Sequence, residues 1–294
     1  MTDSVPSGVP SVAVLGFGAM GAGIAQVCAQ TGRDVIVLEA DERRLADGRA
    51  RLAGFLDGGV RRGKMTAEER DAVLDRVRGT IDLADLAGAG VVVEAVSEDA
   101  DVKRDLLARV TRTVPEEALI ATNTSALSVT GLAAAVPRPD RFAGLHFFNP
   151  APLMPLVEVI RALQTSEDTV TRLTDFAEAI GKTPLVVEDR PGFLVNRLLM
   201  PYLNDVVQAY DDGLASARDI DTALELGLGY PMGPLRLLDL IGMDVHAHAT
   251  GAAYEATHDP ALAPPPLLTR MVEAGYLGRK AGRGFRTGAE EGDQ

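Results

Sequence analysis

An apolar strand pattern, Val12 to Leu15, runs into Gly16, Gly18 and Gly21, and after a helical stretch a second strand pattern, Val35 to Leu38, ends at Glu39. This arrangement constrains the fold more than any other feature of the chain. A G-x-G-x-x-G spacing carries weight where it joins a strand to a helix and an acid follows about 20 residues on. Here the acid stands 23 residues after the first glycine. Gly16 permits the tight turn, Gly18 lets the backbone approach a pyrophosphate, and Gly21 lets helix and strand pack closely. The backbone N–H groups that open the helix, with Ala19 and Met20, then face the phosphates, and the helix is expected to run to about Thr31. Glu39 can accept both hydroxyls of an adenine ribose and would repel a 2′-phosphate, so NAD is favoured over NADP. The bland alternative is a glycine-rich turn in an α/β domain that holds no nucleotide.

The remaining chain fits that start. Its 294 residues are enough for two domains. No run of 18 apolar residues occurs, and Met1 to Pro10 lacks the basic and then apolar build of a signal peptide, so a cytoplasmic protein without a membrane partner is expected. The one cysteine, Cys28, falls in the first helix and reads as core; there is no disulfide framework and no Cys/His cluster for a metal. A formal charge of −13 repels nucleic acid, and the absence of Trp argues against stacking platforms. Any basic substrate site has to be local.

Segment 41–78 reads as two helices rich in Arg and acid, broken by Gly58-Gly59 and by Gly63. Strand patterns resume at Val91 to Ala95, Leu119 to Ala121 and Phe142 to His146, with a helix at Val102 to Thr113. A further strand pair, Leu156 to Ile160 and Thr183 to Glu188, flanks a helix near Asp168 to Ile180. This alternation predicts an α/β fold with a Rossmann-type, doubly wound parallel sheet. From Phe193 onward Leu198, Leu199, Leu203, Val206, Val207 and Tyr210 recur at helical spacing and the strand patterns stop. The expected organisation is an NAD-binding domain over 1–190, with a helical insertion near 41–78, and an all-helical domain over 191–294. The boundary falls where Pro191 and Gly192 punctuate the chain, Pro264 to Pro266 marks a later loop, and Ala289 to Gln294 reads as a frayed tail.

A dinucleotide site implies a hydride, and the accompanying proton needs a base. His146 closes a strand, the edge where open α/β sheets bind ligands. An imidazole titrating near neutrality can accept the hydroxyl proton of an alcohol and return it in reverse. Glu158, set in the apolar run Leu156 to Ile160, can hold the ring and stabilise its charged form, since a lone buried acid would otherwise be costly. Ser125, in Asn123-Thr124-Ser125 just after a strand, offers a hydroxyl at the same edge. The bland readings are a structural histidine and a helix-capping serine.

Six separated segments, in order, carry a resemblance over nearly the whole chain. They are Gly16-Phe17-Gly18-Ala19-Met20-Gly21-Ala22-Gly23-Ile24-Ala25-Gln26, Asn123-Thr124-Ser125, Gly144-Leu145-His146-Phe147-Phe148-Asn149-Pro150, Leu156-Val157-Glu158-Val159-Ile160, Pro191-Gly192-Phe193-Leu194-Val195-Asn196-Arg197, and Gly229-Tyr230-Pro231-Met232-Gly233-Pro234. Together they resemble the short-chain L-3-hydroxyacyl-CoA dehydrogenase family, which includes the bacterial 3-hydroxybutyryl-CoA dehydrogenases. The resemblance implies His146 as general base, Glu158 as its partner, and Ser125 and Asn196 as hydrogen-bonding groups for the substrate's oxygens. Asn196 would come from the second domain, so catalysis would need both domains closed. It also implies Glu98, Lys103, Asn149 and Lys280 beside Glu39 at the cofactor, although Lys103 and Lys280 read on their own as solvated surface charge. The implied reaction interconverts a (3S)-3-hydroxyacyl-CoA and a 3-oxoacyl-CoA, with NAD taking the hydride, in a homodimer formed through the helical domain.

Some positions depart from the family pattern. Ala126 stands where a second serine is usual, Phe55 and Gly58 replace a small polar residue and a lysine on the helix that grips the CoA phosphates, Pro155 replaces a basic residue or histidine, and Arg286 replaces an aromatic. Arg61, Arg62 and Lys64 remain and can meet a phosphate. These changes touch the carrier rather than the chemistry, which leaves open the same reaction on an acyl group tethered to an acyl carrier protein. The residues are also compatible with a free hydroxy acid as substrate, or with a non-catalytic NAD-binding sensor.

Overall fold

The computed structural model describes residues 11–286, so the expectations for Met1 to Pro10 and for Ala289 to Gln294 lie outside the described residues. Two compact units divide the chain, the first ending at Asp189 and the second beginning at Arg190.

The first unit is an eight-stranded sheet flanked by helices. In chain order its elements are β1 (Ser11–Leu15), α1 (Ala19–Gln30), β2 (Val35–Leu38), α2 (Glu42–Arg61), α3 (Ala67–Arg76), β3 (Val77–Thr80), β4 (Ala89–Glu94), α4 (Ala100–Val110), β5 (Leu119–Thr122), α5 (Val129–Ala133), β6 (Phe142–Phe147), β7 (Leu156–Arg161), α6 (Glu167–Ala179) and β8 (Thr183–Glu188). The strands run β3-β2-β1-β4-β5-β6-β7-β8 across the sheet, so the order reverses between β1 and β4. Val12, Ala13, Val14 and Leu15 are all fully buried, as a central parallel strand covered on both faces must be. The α1 side of the core joins Ile24, Ala25 and Cys28 to Val12, Val14 and Val37. Burial pushes the Cys28 thiol up to about 12, so this cysteine is packing, not chemistry.

Four expectations are corrected. The sheet is not wholly parallel: β7 lies antiparallel to β6, and β8 is parallel to β7. Gly58 and Gly59 do not break α2, which continues through them to Arg61; Gly59 lies where an added Cβ would stand 3.0 Å from Met65 Sδ, and the chain turns at Gly63. The second helix of that segment ends at Arg76, and Val77–Thr80 is a strand paired with β2. In the second unit Pro266 opens a helix rather than lying in the loop, the position where a missing N–H costs nothing.

The second unit consists of α7 (Val195–Asp211), α8 (Ala217–Leu228), α9 (Pro234–Ile241), α10 (Met243–Thr257) and α11 (Pro266–Glu273). Leu203, Val206 and Val207 of α7 pack with Leu235, Leu238, Met243, Leu268 and Met271. Inside it, Asn204 donates to Thr250 Oγ1 (2.9 Å) and to the carbonyls of Ala261 and Ala263, and its Oδ1 lies 3.0 Å from His246 Nε2. That amide orientation makes Nε2 the protonated ring nitrogen, and burial pulls His246 down to about 4, which keeps the ring neutral. Near the end of the described chain, Asp239 accepts the N–H groups of Phe285 (2.9 Å) and Arg286 (2.6 Å), and the Arg286 guanidinium is 3.6 Å from the buried Asp221. The arginine that replaces the family's aromatic is thus engaged as an ion-pair partner. No helix among the described residues is long and apolar enough to cross a membrane.

Candidate active site

The glycine turn has the geometry its spacing predicts. Gly16 sits at φ +95, and a Cβ there would lie 2.9 Å from the Ala95 carbonyl oxygen; a Cβ on Gly21 would lie 1.9 Å from the Gly16 oxygen. Neither position admits a side chain. Gly18 is different, because a Cβ on it would meet no protein atom within 4 Å. It borders a cleft, and it opens α1 with no side-chain cap. Ala19 is exposed beside it, while Met20 packs partly against the core.

That cleft, about 720 Å³, is lined by Gly16, Gly18, Leu38, Glu39, Ala95 and Val96 among others. Glu39 is held in it by two backbone amides, Phe17 N–H to Oε1 (2.6 Å) and Ala40 N–H to Oε2 (3.0 Å). Each carboxylate oxygen keeps a second lone pair for a hydroxyl donor. Open backbone at Gly18, an uncapped helix start and a fixed carboxylate beside a cleft of this size fit the pyrophosphate and adenosine ribose of a dinucleotide.

Beyond the point where the strand order reverses, a second group of polar side chains gathers at the C-terminal ends of β4, β5 and β6. His146 on β6 and Glu158 on β7 are direct cross-strand partners. His146 Nδ1 is 2.8 Å from Glu158 Oε2, with the histidine 5% and the glutamate 0% exposed. A carboxylate is an acceptor, so the proton of this bond sits on Nδ1 and the basic lone pair is on Nε2. Phe148 tilts against the ring at 4.7 Å between centroids, and Asn149 follows, exposed.

Ser125 does not cap a helix; Ser128 does, through the N–H of Gly131 (3.1 Å). The Ser125 loop is instead gathered by Glu98. Glu98 Oε1 accepts from Thr124 Oγ1 (2.5 Å), Ser125 N–H (2.8 Å), Ala126 N–H (3.0 Å) and Ser125 Oγ (3.3 Å). Ala126, where the family pattern has a serine, thus contributes its backbone. Burial pushes the Glu98 carboxyl up, but the Thr124 hydroxyl, the Lys103 ammonium and the two backbone amides outweigh it and hold it below the usual carboxylate range.

Lys103 is not the solvated charge its position on α4 suggests. It is 1% exposed, and its Nζ lies 2.7 Å from Glu94 Oε1 and 3.3 Å from Glu98 Oε2. Glu94 is a residue that sequence patterning did not single out. It is fully buried at the end of β4 and also accepts from Thr122 Oγ1 (2.6 Å) and Val96 N–H (2.7 Å). Its backbone carbonyl accepts the Asn123 N–H (2.7 Å), and Asn123 Oδ1 accepts the Phe147 N–H (2.8 Å), which ties the Ser125 loop to the strand that carries His146. The signal that could have found it is an acid ending the apolar run Val91-Val92-Val93, the same strand-end position that marks His146.

The remaining candidates lie on other elements. Arg61, Arg62 and Lys64 are exposed at and just after the end of α2, and none forms an ion pair among the described residues; Phe55 on the same helix is 48% exposed. In the second unit Asn196 is half-buried in the first turn of α7, and Lys280 Nζ lies 2.6 Å from Asp244 Oδ2 with nearly half its side chain exposed. No group of His, Cys, Asp or Glu among the described residues could hold a metal ion.

Comparison with known proteins gives this geometry its context. Residues 11–190 match the family model for the 3-hydroxyacyl-CoA dehydrogenase NAD binding domain, and residues 192–288 match its C-terminal domain. A 3-hydroxybutyryl-CoA dehydrogenase of Mycobacterium tuberculosis is 44% identical over 281 residues, covering 95% of this chain and 98% of the relative. The human mitochondrial hydroxyacyl-coenzyme A dehydrogenase is 42% identical over 284 residues, 94% of this chain and 90% of the relative. Among solved structures, an (S)-3-hydroxybutyryl-CoA dehydrogenase from Ralstonia eutropha superposes with a TM-score of 0.92 at 40% identity, over 96% of this chain and all of that one. With the models of both family domains matched over residues 11–190 and 192–288 and such identity spanning both units, the chain belongs to the 3-hydroxyacyl-CoA dehydrogenase family.

Proposed function

We propose that the chain interconverts (3S)-3-hydroxyacyl-CoA and 3-oxoacyl-CoA thioesters with NAD as the hydride carrier. The observation that carries this reading is the buried His146–Glu158 pair at the C-terminal edge of the same sheet whose glycine turn and Glu39 line the cleft. When bound, NAD supplies the hydride acceptor. In the oxidation direction His146 Nε2 takes the hydroxyl proton, and Glu158 stabilises the charge that then develops on the ring. Ser125, pinned through Glu98, and Asn196 of the second unit hydrogen-bond the substrate oxygen as it becomes a carbonyl. In this assignment Gly16, Gly18, Ala19, Met20 and Gly21 serve the pyrophosphate and Glu39 the ribose, while Glu98, Asn149 and Lys280 complete the cofactor contacts and Lys103, buried, acts through its ion pair with Glu98. Arg61, Arg62 and Lys64 face the CoA phosphates, for which an unpaired basic helix end is suited.

Glu39→Ala tests the cofactor assignment. Loss of two charge-assisted ribose hydrogen bonds weakens NAD binding by about tenfold or more, and the preference over NADP narrows because the repelling charge is gone. NADP serving the unsubstituted protein as well as NAD would refute the role given to Glu39.

The substrate assignment is tested by following NADH oxidation with acetoacetyl-CoA, with the same acyl group on an acyl carrier protein, and with free acetoacetate. Turnover of the CoA ester is expected to exceed that of the free acid by about 10²-fold or more, since remote binding energy is spent on orienting the reacting carbon. Equal rates would remove any phosphate role from Arg61 to Lys64, and a carrier-bound substrate outrunning the CoA ester would move the protein to a carrier-dependent reaction. A cytoplasmic homodimer joined through the second unit completes the proposal. Exposed Leu198, Leu226 and Leu228, 66%, 83% and 63% accessible, support a surface of that unit that is covered in the assembly.

A further inference from the structure

Glu94, Lys103 and Glu98 set two carboxylates against one ammonium in a largely buried cluster, with side-chain exposures of 0%, 1% and 35%. Lys103 bridges both acids, at 2.7 Å to Glu94 and 3.3 Å to Glu98. One negative charge is therefore left uncompensated. The other charges on α4 do not offset it, because Arg104 pairs with Asp101 and Arg109 with Asp105 at the surface, where solvent and salt screen them. The cluster lies at the C-terminal ends of β4 and β5, beyond the strand-order reversal from Glu39. Resting on the function proposed above, a dinucleotide with its adenosine ribose on Glu39 carries its nicotinamide half to this side, where Ser125 and His146 stand.

We infer that Glu94 is a positioning residue that divides Lys103 between two carboxylates, so that the crevice keeps a net negative charge and favours the oxidised, cationic nicotinamide over the reduced, neutral one. A purely structural role also requires Glu94 to be hydrogen-bonded, and it is, through Thr122 and Val96. The two roles differ in what they do to the two redox forms of the cofactor. Loss of a tie alone loosens both forms alike. Loss of a charge changes their ratio, because only one form carries the ring cation and buried charges are poorly screened.

The test is the pair of dissociation constants for NADH, read by nicotinamide fluorescence in a chain that has no Trp, and for NAD⁺, read by competition. Glu94→Gln is expected to raise the Kd for NAD⁺ relative to that for NADH by about fivefold or more. Glu94→Asp keeps the charge and is expected to leave the ratio within about twofold even where both constants rise. An unchanged ratio in Glu94→Gln, or equal shifts in Glu94→Gln and Glu94→Asp, overturns the inference. Should Glu94→Gln fail to fold, Glu98→Gln removes a charge from the less buried end of the cluster and must move the ratio the same way. No NADH binding by the unsubstituted chain would overturn the proposed function together with this inference, whereas binding with an immovable ratio overturns the inference alone.

Discussion

His146→Asn is expected to lower kcat for 3-hydroxyacyl-CoA oxidation by about 10³-fold while leaving the Kd for NADH within about twofold. The two parts have separate physical sources. Asparagine is short and polar, and it can still donate to Glu158 across the β6–β7 pair, so the buried carboxylate is not abandoned. It has no nitrogen that takes up a proton near neutral pH, so the hydroxyl proton of the substrate has no acceptor as the hydride leaves. In the proposed assignment cofactor affinity rests on other elements, the Gly16 to Gly21 turn between β1 and α1 and the Glu39 carboxylate after β2. Stopped-flow and steady-state rates beside NADH titration separate the two quantities. A kcat within about tenfold of the original would mean that the proton goes elsewhere, since general-base catalysis contributes more than that.

The geometry of the glycine turn and of Glu39 was legible because each of its requirements is local. A turn that needs a positive φ, a close helix–strand contact and an acid at the end of the next strand all leave marks within 30 residues of one another. The reversal at β7 was less visible, although its signal was present. Only residues 148–155 separate β6 from β7, too few for the crossover that parallel strands require. The strand β3 was hidden because Val77-Arg78-Gly79-Thr80 is four residues long with Arg and Gly at its centre, too short for a strand pattern; pairing with β2 and contact of Gly79 with Leu45 make it a strand. Gly58-Gly59 misled in the opposite sense, since packing of Met65 on Gly59 sustains a helix that glycine alone weakens.

Lys103 and Glu94 show where reading by residue type stops. Lysine on an amphipathic helix is nearly always at the surface, and only the three-dimensional meeting of a strand end with the first turn of α4 reveals a buried and a half-buried carboxylate waiting for it. The meeting of His146 and Glu158 is likewise non-local. Their types suggested a pair, but their juxtaposition depends on the antiparallel register that the alternation of strands and helices did not announce.

That register makes Glu158→Gln the second large expected effect, a fall in kcat of about 10²-fold that disappears in the His146→Asn background. Gln has the shape of Glu, so β7 keeps its packing at a position with no exposed surface, and its amide oxygen can still accept the Nδ1 proton. What is removed is the negative charge 2.8 Å from the imidazole. The charge matters most as the ring takes up the substrate's proton, when a carboxylate beside it in a buried site stabilises the developing cation. The effect therefore appears in kcat and in kcat/KM together, with cofactor affinity unaffected. A double-substitution cycle decides the point, because a residue that acts only through His146 has nothing left to do once the base is gone. If Glu158→Gln costs the same factor with or without His146, its contribution is independent of the base, and the pair does not work as a unit.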